Sequence, residues 1–291
     1  MRDASATADA RTAGDQHSSA VFSSDAEWAE LLVSFVRAGL RRDEQVRYFA
    51  DTTAPDLVLH TLAQYGVDAV SAVRRGQLTV TTAAETYLAG PCFDPDAMVG
   101  LWHEAVASAA THGYAGLRAI GEMSWGARDV AGAERLLEYE LRIHHEVFDR
   151  LPLTAWCFYD RRLMPRDALD VLLGAHLTHL GAPDPAPRTP GLVVAPLADR
   201  PGLRLEGTAG YETRRVTASA AAAVADSPAP RMDLDLTRLD HLDVAALADI
   251  ARAAVRRPAG TPVRLLGAPP SLTRLLELFP ELGLGLEVTG R

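Results

Sequence analysis

The sequence predicts an α/β protein of two domains: a mostly parallel sheet with helices on both faces, followed by a smaller C-terminal α/β sandwich. Strand and helix patterns alternate through residues 17–178, as parallel strands joined by helical crossovers require. Prolines at 183, 185, 187, 190 and 196 then interrupt that rhythm before a second, shorter α/β pattern begins. A chain of 291 residues is long enough to build two cores. The implied segments are a disordered polar tail at 1–15, a first domain at 16–180, a proline-rich linker at 181–190 and a second domain at 191–291.

Taken in order, His17–Phe22 reads as a short strand. The helix expected over Asp25–Leu40 repeats Trp28, Leu31, Leu32, Phe35 and Val36 at the spacing of one buried face. Ser24, with Glu27 three residues on, reads as its capping box, and Gly39 as its end. Val46–Ala50 is a second strand, Pro55–Tyr65 a helix and Leu78–Thr82 a third strand. Asp96–Ala110 is expected as a helix burying Met98, Leu101, Trp102, Ala105 and Val106, and Leu117–Gly121 as strand four. A helix over Ala131–Phe148, a fifth strand over Leu153–Tyr159 and a helix opening at Pro165 complete the first domain. The second domain reads as strands at Leu192–Pro196, Leu203–Glu206, Met232–Leu236, Val263–Leu266 and Leu286–Val288. Helices are expected there over Thr213–Val224, Val244–Val255 and Leu272–Phe279.

Composition narrows the function. With 48% hydrophobic and 23% charged residues the chain is of ordinary globular type. No apolar run approaches the length that spans a bilayer and the first residues hold no secretion signal, so a cytoplasmic protein is expected. A net charge of −9 repels a phosphate backbone, which argues against direct nucleic-acid binding. All 29 basic residues are arginine, which excludes a phosphate-loop lysine, a Schiff-base lysine and a lysine general base. Cys92 and Cys157 stand far apart, read as buried apolar thiols, and form neither a disulfide framework nor a metal pair.

In open parallel sheets, ligands bind beyond the carboxyl ends of the strands. That rule selects Phe22-Ser23-Ser24, Asp51-Thr52-Thr53, Thr82, Gly121-Glu122-Met123-Ser124-Trp125 and Tyr159-Asp160-Arg161-Arg162, the last two concentrating carboxylate, indole, phenol and guanidinium groups suited to a small-molecule pocket. Trp125 is expected to contact the ligand if it sits at the rim of that pocket, and otherwise to fill the edge of the core. The first strand-to-helix turn, Phe22-Ser23-Ser24-Asp25-Ala26-Glu27, has no glycine cradle, so nucleotide hydrolysis has no support. No nucleophile elbow is present, and Cys157 in a buried strand is expected to stay protonated. No metal site is expected: His103 and His112 fall on opposite helix faces, His144 lies on an apolar stripe, and no carboxylate or cysteine near His176 and His179 in the sequence completes a ligand set.

The strand His17-Ser18-Ser19-Ala20-Val21-Phe22 resembles the His-x-Cys-x-x-Tyr-like strand of the MEDS family of sensory domains, with Ser19 at the cysteine position. Ala38-Gly39-Leu40, Gly121–Trp125, Glu134–Glu140 and Tyr159–Arg162 extend the likeness over residues 17–178. The resemblance implies a fold similar to the RecA-like circadian-clock ATPases without their nucleotide loop, sensing small hydrocarbon-like molecules. Residues 191–291 resemble a STAS domain, the fold of anti-sigma factor antagonists, through Asp235-Leu236 and Asp243. The position of the family's phosphorylated hydroxyl is Ala245, so the resemblance implies partner contact around Asp243 and Ala245 without a phosphorylation switch.

Together these readings describe a non-enzymatic signalling protein without a cofactor. Its ligand site would draw on His17, Ser19, Phe22, Glu122, Trp125, Tyr159, Asp160 and Arg162, and its partner would be an anti-sigma factor or related regulator. The alternative is an α/β enzyme using Glu122 and Asp160 as acid and base.

Overall fold

A computed structural model describes residues 16–181, 191–258 and 260–289. The tail expected at 1–15 lies outside the described residues, as does the linker expected at 181–190 apart from Gly181.

Six parallel strands form the first sheet: β1 (His17–Phe22), β2 (Gln45–Ala50), β3 (Leu78–Thr82), β4 (Leu117–Glu122), β5 (Leu153–Asp160) and β6 (Thr178–Gly181), in the order β3-β2-β4-β5-β1-β6. β6 pairs with β1 and has no counterpart among the expected elements, because four residues, THLG, are too short and too mixed to show an alternation.

Helix α1 (Asp25–Arg41) begins as its sequence demands, with the Ser24 hydroxyl accepting from the Glu27 N–H at 3.2 Å. The return bond of the expected box is displaced by one residue: the Glu27 carboxylate accepts from the Ser23 N–H at 2.7 Å. α1, α2 (Pro55–Gln64) and the short α3 (Ala69–Arg74) cover one side of the sheet, packing Trp28, Leu32, Phe35 and Leu62 onto Val46, Tyr48, Ile120 and Phe158. α4 (Pro95–Thr111) and α5 (Leu136–Ile143) cover the other, against Phe49, Ala119, Cys157 and Tyr159. The long helix expected over Ala131–Phe148 is three pieces: a 3-10 turn at Ala133–Arg135, α5, and a π-helical turn at His144–Phe148. Every residue of α5 is buried, including Glu138, Glu140 and Arg142.

After α6 (Arg166–Gly174) the second domain forms a five-stranded sheet from β7 (Leu192–Pro196), β8 (Gly202–Ala209), β9 (Met232–Leu242), β10 (Val263–Leu266) and β11 (Leu286–Thr289). Only the β7–β8 pair is antiparallel. Helices α7 (Arg214–Asp226), α8 (Val244–Arg256) and α9 (Pro270–Leu278) complete it.

The two domains share one apolar cluster, which runs from Leu141, Ile143 and Leu172 into Leu192, Val194, Ala221 and Val224. α5 packs against α7 and β7, and α6 against β7. A Cβ added at Gly174 would stand 2.9 Å from Val193 Cγ1 and 3.4 Å from the Val194 carbonyl oxygen, so this glycine sets how closely α6 approaches β7. α5 therefore has the first sheet on one side and the second domain on the other.

Candidate functional site

Neighbouring residues of a strand face opposite sides of a sheet, and that parity divides the residues selected at the carboxyl edge. Phe22, Glu122 and Asp160 lie on the α1 side, while His17, Ser19 and Tyr159 lie on the α5 side. The single pocket expected from these residues is thus divided by the sheet itself.

On the α1 side, Phe22, Thr52, Asp160 and Arg162 border an open cleft of about 650 Å³. The two carboxylates expected to serve this edge are already engaged. Glu122 is buried and accepts from the Tyr48 hydroxyl at 2.5 Å and from the backbone N–H groups of Asp51, Thr52 and Thr53 at 2.7, 2.8 and 3.1 Å. It ties the loop after β2 to the end of β4. Asp160 accepts from the Arg162 backbone N–H at 2.9 Å and takes the Arg162 guanidinium in a two-pronged contact at 2.9 and 2.7 Å, while Arg162 also reaches Asp25 at 2.8 Å. An acid–base pair needs a proton-transfer face left open to substrate, and these hydrogen bonds occupy the faces the two carboxylates would use.

On the α5 side lies a small apolar cavity walled by Phe49, Tyr87, Phe93, Trp102, Trp125 and Tyr139. Trp125 belongs to this wall and is 0% exposed, not placed at a rim; its ring centroid is 4.7 Å from that of Phe93 and 5.9 Å from that of Tyr87. Met98, Met123 and Ala119 also face the space, and His17 and Cys157 line it from the strands. The space open to a water centre is about 20 Å³, which holds about one water-sized particle. At its wall the Tyr87 hydroxyl and Trp125 Nε1 approach each other without a well-formed hydrogen bond.

Next to the cavity sits a cluster of four residues far apart in the sequence, where no metal site was expected. His17 at the start of β1, Glu140 on α5, Cys157 on β5 and His176 in the turn after α6 bring one donor atom each within 4.8 Å of the others, and all four residues are buried. Burial pushes His17 and His176 down to about 3, with the neighbouring His17 adding to the shift of His176. It pushes the Glu140 carboxyl and the Cys157 thiol up, so the thiol is protonated as the sequence implied. The Tyr159 hydroxyl donates to Glu140 Oε1 at 3.2 Å, which places Tyr159 behind the cluster and out of the cavity wall. Ser19 shares its hydroxyl with His179 Nδ1 at 2.8 Å, so the residue at the family's cysteine position anchors β6 instead. Cys92, expected to be buried, is exposed.

Glu140 was open to detection: it falls four residues after Leu136 and three after Leu137, on the apolar stripe of its helix, where an unpaired carboxylate is costly. Nothing in local spacing joins it to Cys157 or His176, which only the fold brings together.

Fold and site define a parallel α/β domain with a small apolar pocket and, in the turn after β1, a helix capped by serine where a phosphate loop would carry glycines. Residues 16–177 match the MEDS family model, the MEthanogen/methylotroph, DcmR Sensory domain. That match spans more than half the chain, and the chain belongs to the MEDS family. A sensory domain of this kind gives the protein a signalling or regulatory role. The family match ends before the second domain. A search of the curated proteins finds none that matches the chain. No helix among the described residues is long and apolar enough to cross a membrane.

Proposed function

We propose that the protein is a non-catalytic sensor whose ligand is a small, largely apolar molecule seated in the aromatic cavity, and that α5 carries occupancy of the cavity to the second domain. The observation that supports this most is the position of α5, which packs against the core around the cavity on one side and against α7 and β7 on the other. Tyr87 and Trp125 hold donor groups that a single polar atom on the ligand would complete, since aromatic side chains combine apolar area with one polar handle.

The second domain acts, in this proposal, as a STAS-like contact surface for an anti-sigma factor or related regulator. Asp243 caps α8, accepting from the Ala246 N–H at 2.7 Å, and with Ala245 it borders a shallow depression next to Tyr211, which is 83% exposed. An alanine at 245 offers no hydroxyl to phosphorylate, so control comes from the first domain and not from a kinase.

Xenon tests the cavity: it enters apolar spaces, and at about 20 Å³ this one must widen to admit it, as it must for any ligand larger than water. Of the five methionines, Met98 and Met123 line the cavity while Met164 and Met232 do not. Methyl resonances of Met98 and Met123 should shift saturably under xenon pressure, with Met164 and Met232 unmoved. Equal shifts at all of them, or none, would remove the cavity from the proposal.

A further inference from the structure

The cluster beside the cavity has the composition and dimensions of a metal site. We propose that His17 Nε2, Glu140 Oε2, Cys157 Sγ and His176 Nε2 bind one zinc ion in a closed tetrahedral site that joins β1, β5, α5 and the turn after α6.

Bond lengths to zinc of about 2.0–2.1 Å for nitrogen and oxygen and about 2.3 Å for sulfur put tetrahedral edges at about 3.3 Å between N or O donors and about 3.5 Å from sulfur. Four of the six edges follow that pattern, His17–Glu140 at 3.1 Å, His176–Glu140 at 3.6 Å, Cys157–His17 at 3.5 Å and Cys157–Glu140 at 3.7 Å, and the two from His176 to His17 and Cys157 lie within 4.8 Å. A hydrogen-bonded cluster without metal accounts for less. It leaves His176 Nε2 buried with no hydrogen-bond partner and directed at Glu140, at a distance too long for a bond.

The surroundings are those that orient ligands. His176 Nδ1 lies 3.0 Å from the Leu172 carbonyl oxygen and donates to it, which fixes the tautomer with the Nε2 lone pair facing the cluster. Tyr159 holds the second oxygen of Glu140. His17 stacks on Phe148, with ring centroids 4.7 Å apart and planes 9° from parallel, while its Nδ1 has no partner. On binding the metal, Cys157 and any protonated Glu140 release their protons to solvent; two neutral imidazoles with one thiolate and one carboxylate then carry two negative charges, which a divalent cation cancels, and a fully buried site needs that cancellation. The mixed nitrogen, oxygen and sulfur set suits zinc or cobalt over magnesium or calcium. Four protein ligands leave no open position, so the site is structural and does not activate water. The inference stands on the cluster alone and does not depend on what occupies the cavity.

The test uses the full chain, stripped with chelator and titrated with cobalt(II), together with metal analysis of protein purified from zinc-replete cells. One zinc per chain is expected as purified, and one equivalent of cobalt should give the intense visible bands of tetrahedral coordination with a thiolate charge-transfer band. Cys157→Ser should lose the charge-transfer band. Tyr159→Phe should keep it and weaken affinity by about 10–100-fold, the usual effect of removing a partner of a metal ligand. If stripping unfolds the chain, recovery of its circular dichroism on adding zinc supports the site. A folded wild type that takes up no stoichiometric metal overturns it. Cobalt spectra identical in wild type and Cys157→Ser would do the same, placing the ion elsewhere, as at His144, His145 and Asp149.

Discussion

Glu122 shows how a residue with the chemistry of a site can be a fixture of the fold. Four donors converge on its carboxylate, three of them backbone N–H groups of one loop, and no neutral side chain of the same shape satisfies them equally. Glu122→Gln should therefore destabilise the domain by about 1.5–3 kcal/mol, the range for hydrogen bonds to a charged acceptor. Urea unfolding followed by circular dichroism measures this, and an unchanged midpoint would return Glu122 to the list of ligand or catalytic groups. The sequence made Glu122 and Asp160 conspicuous because both end strands at the carboxyl edge. The partners of Glu122 were hidden, since Tyr48 and Asp51–Thr53 are about seventy residues away along the chain, whereas Arg162, which holds Asp160, is two residues on. His17, Cys157 and His176 were hidden in the same way, whereas Glu140 betrayed itself as a charge on an apolar stripe.

Elements were more legible than side-chain partnerships, because helix and strand periodicity is local. α1, α4, α8 and strands β1 to β5 fall close to where the spacing of apolar residues put them. β6 escaped for want of length, and the helix around α5 was read as continuous because its apolar spacing carries on through the π turn. Strand parity was available in the sequence as well: Tyr159 and Asp160 are adjacent in β5, so they had to face opposite sides of the sheet. The seam between the domains was not legible, since α7 presents alanines that suit a solvated helix as well as a close packing surface. At that seam Gly174→Leu should force α6 away from β7 at a cost of about 1–3 kcal/mol, the usual range for overpacking. Differential scanning calorimetry should show wild type unfolding in one transition and Gly174→Leu in two. A variant that still melts as one unit, with no loss of stability, would mean that the contact does not hold the domains together.

Across the whole molecule, a sensory domain of the MEDS family and a second α/β domain share one hydrophobic core, with the fully buried α5 between them. Coupling through such a helix is physical only if filling the cavity alters α7, because spatial position alone is not evidence of coupling. Amide hydrogen exchange with and without xenon measures this directly, with α1 on the far side of the sheet as the internal reference. Changed protection in α5 and in α7 at Arg214–Asp226, with α1 unaltered, is the predicted result. Methyl shifts at Met98 and Met123 without any change in α7 would contradict it, leaving a cavity that binds but does not signal.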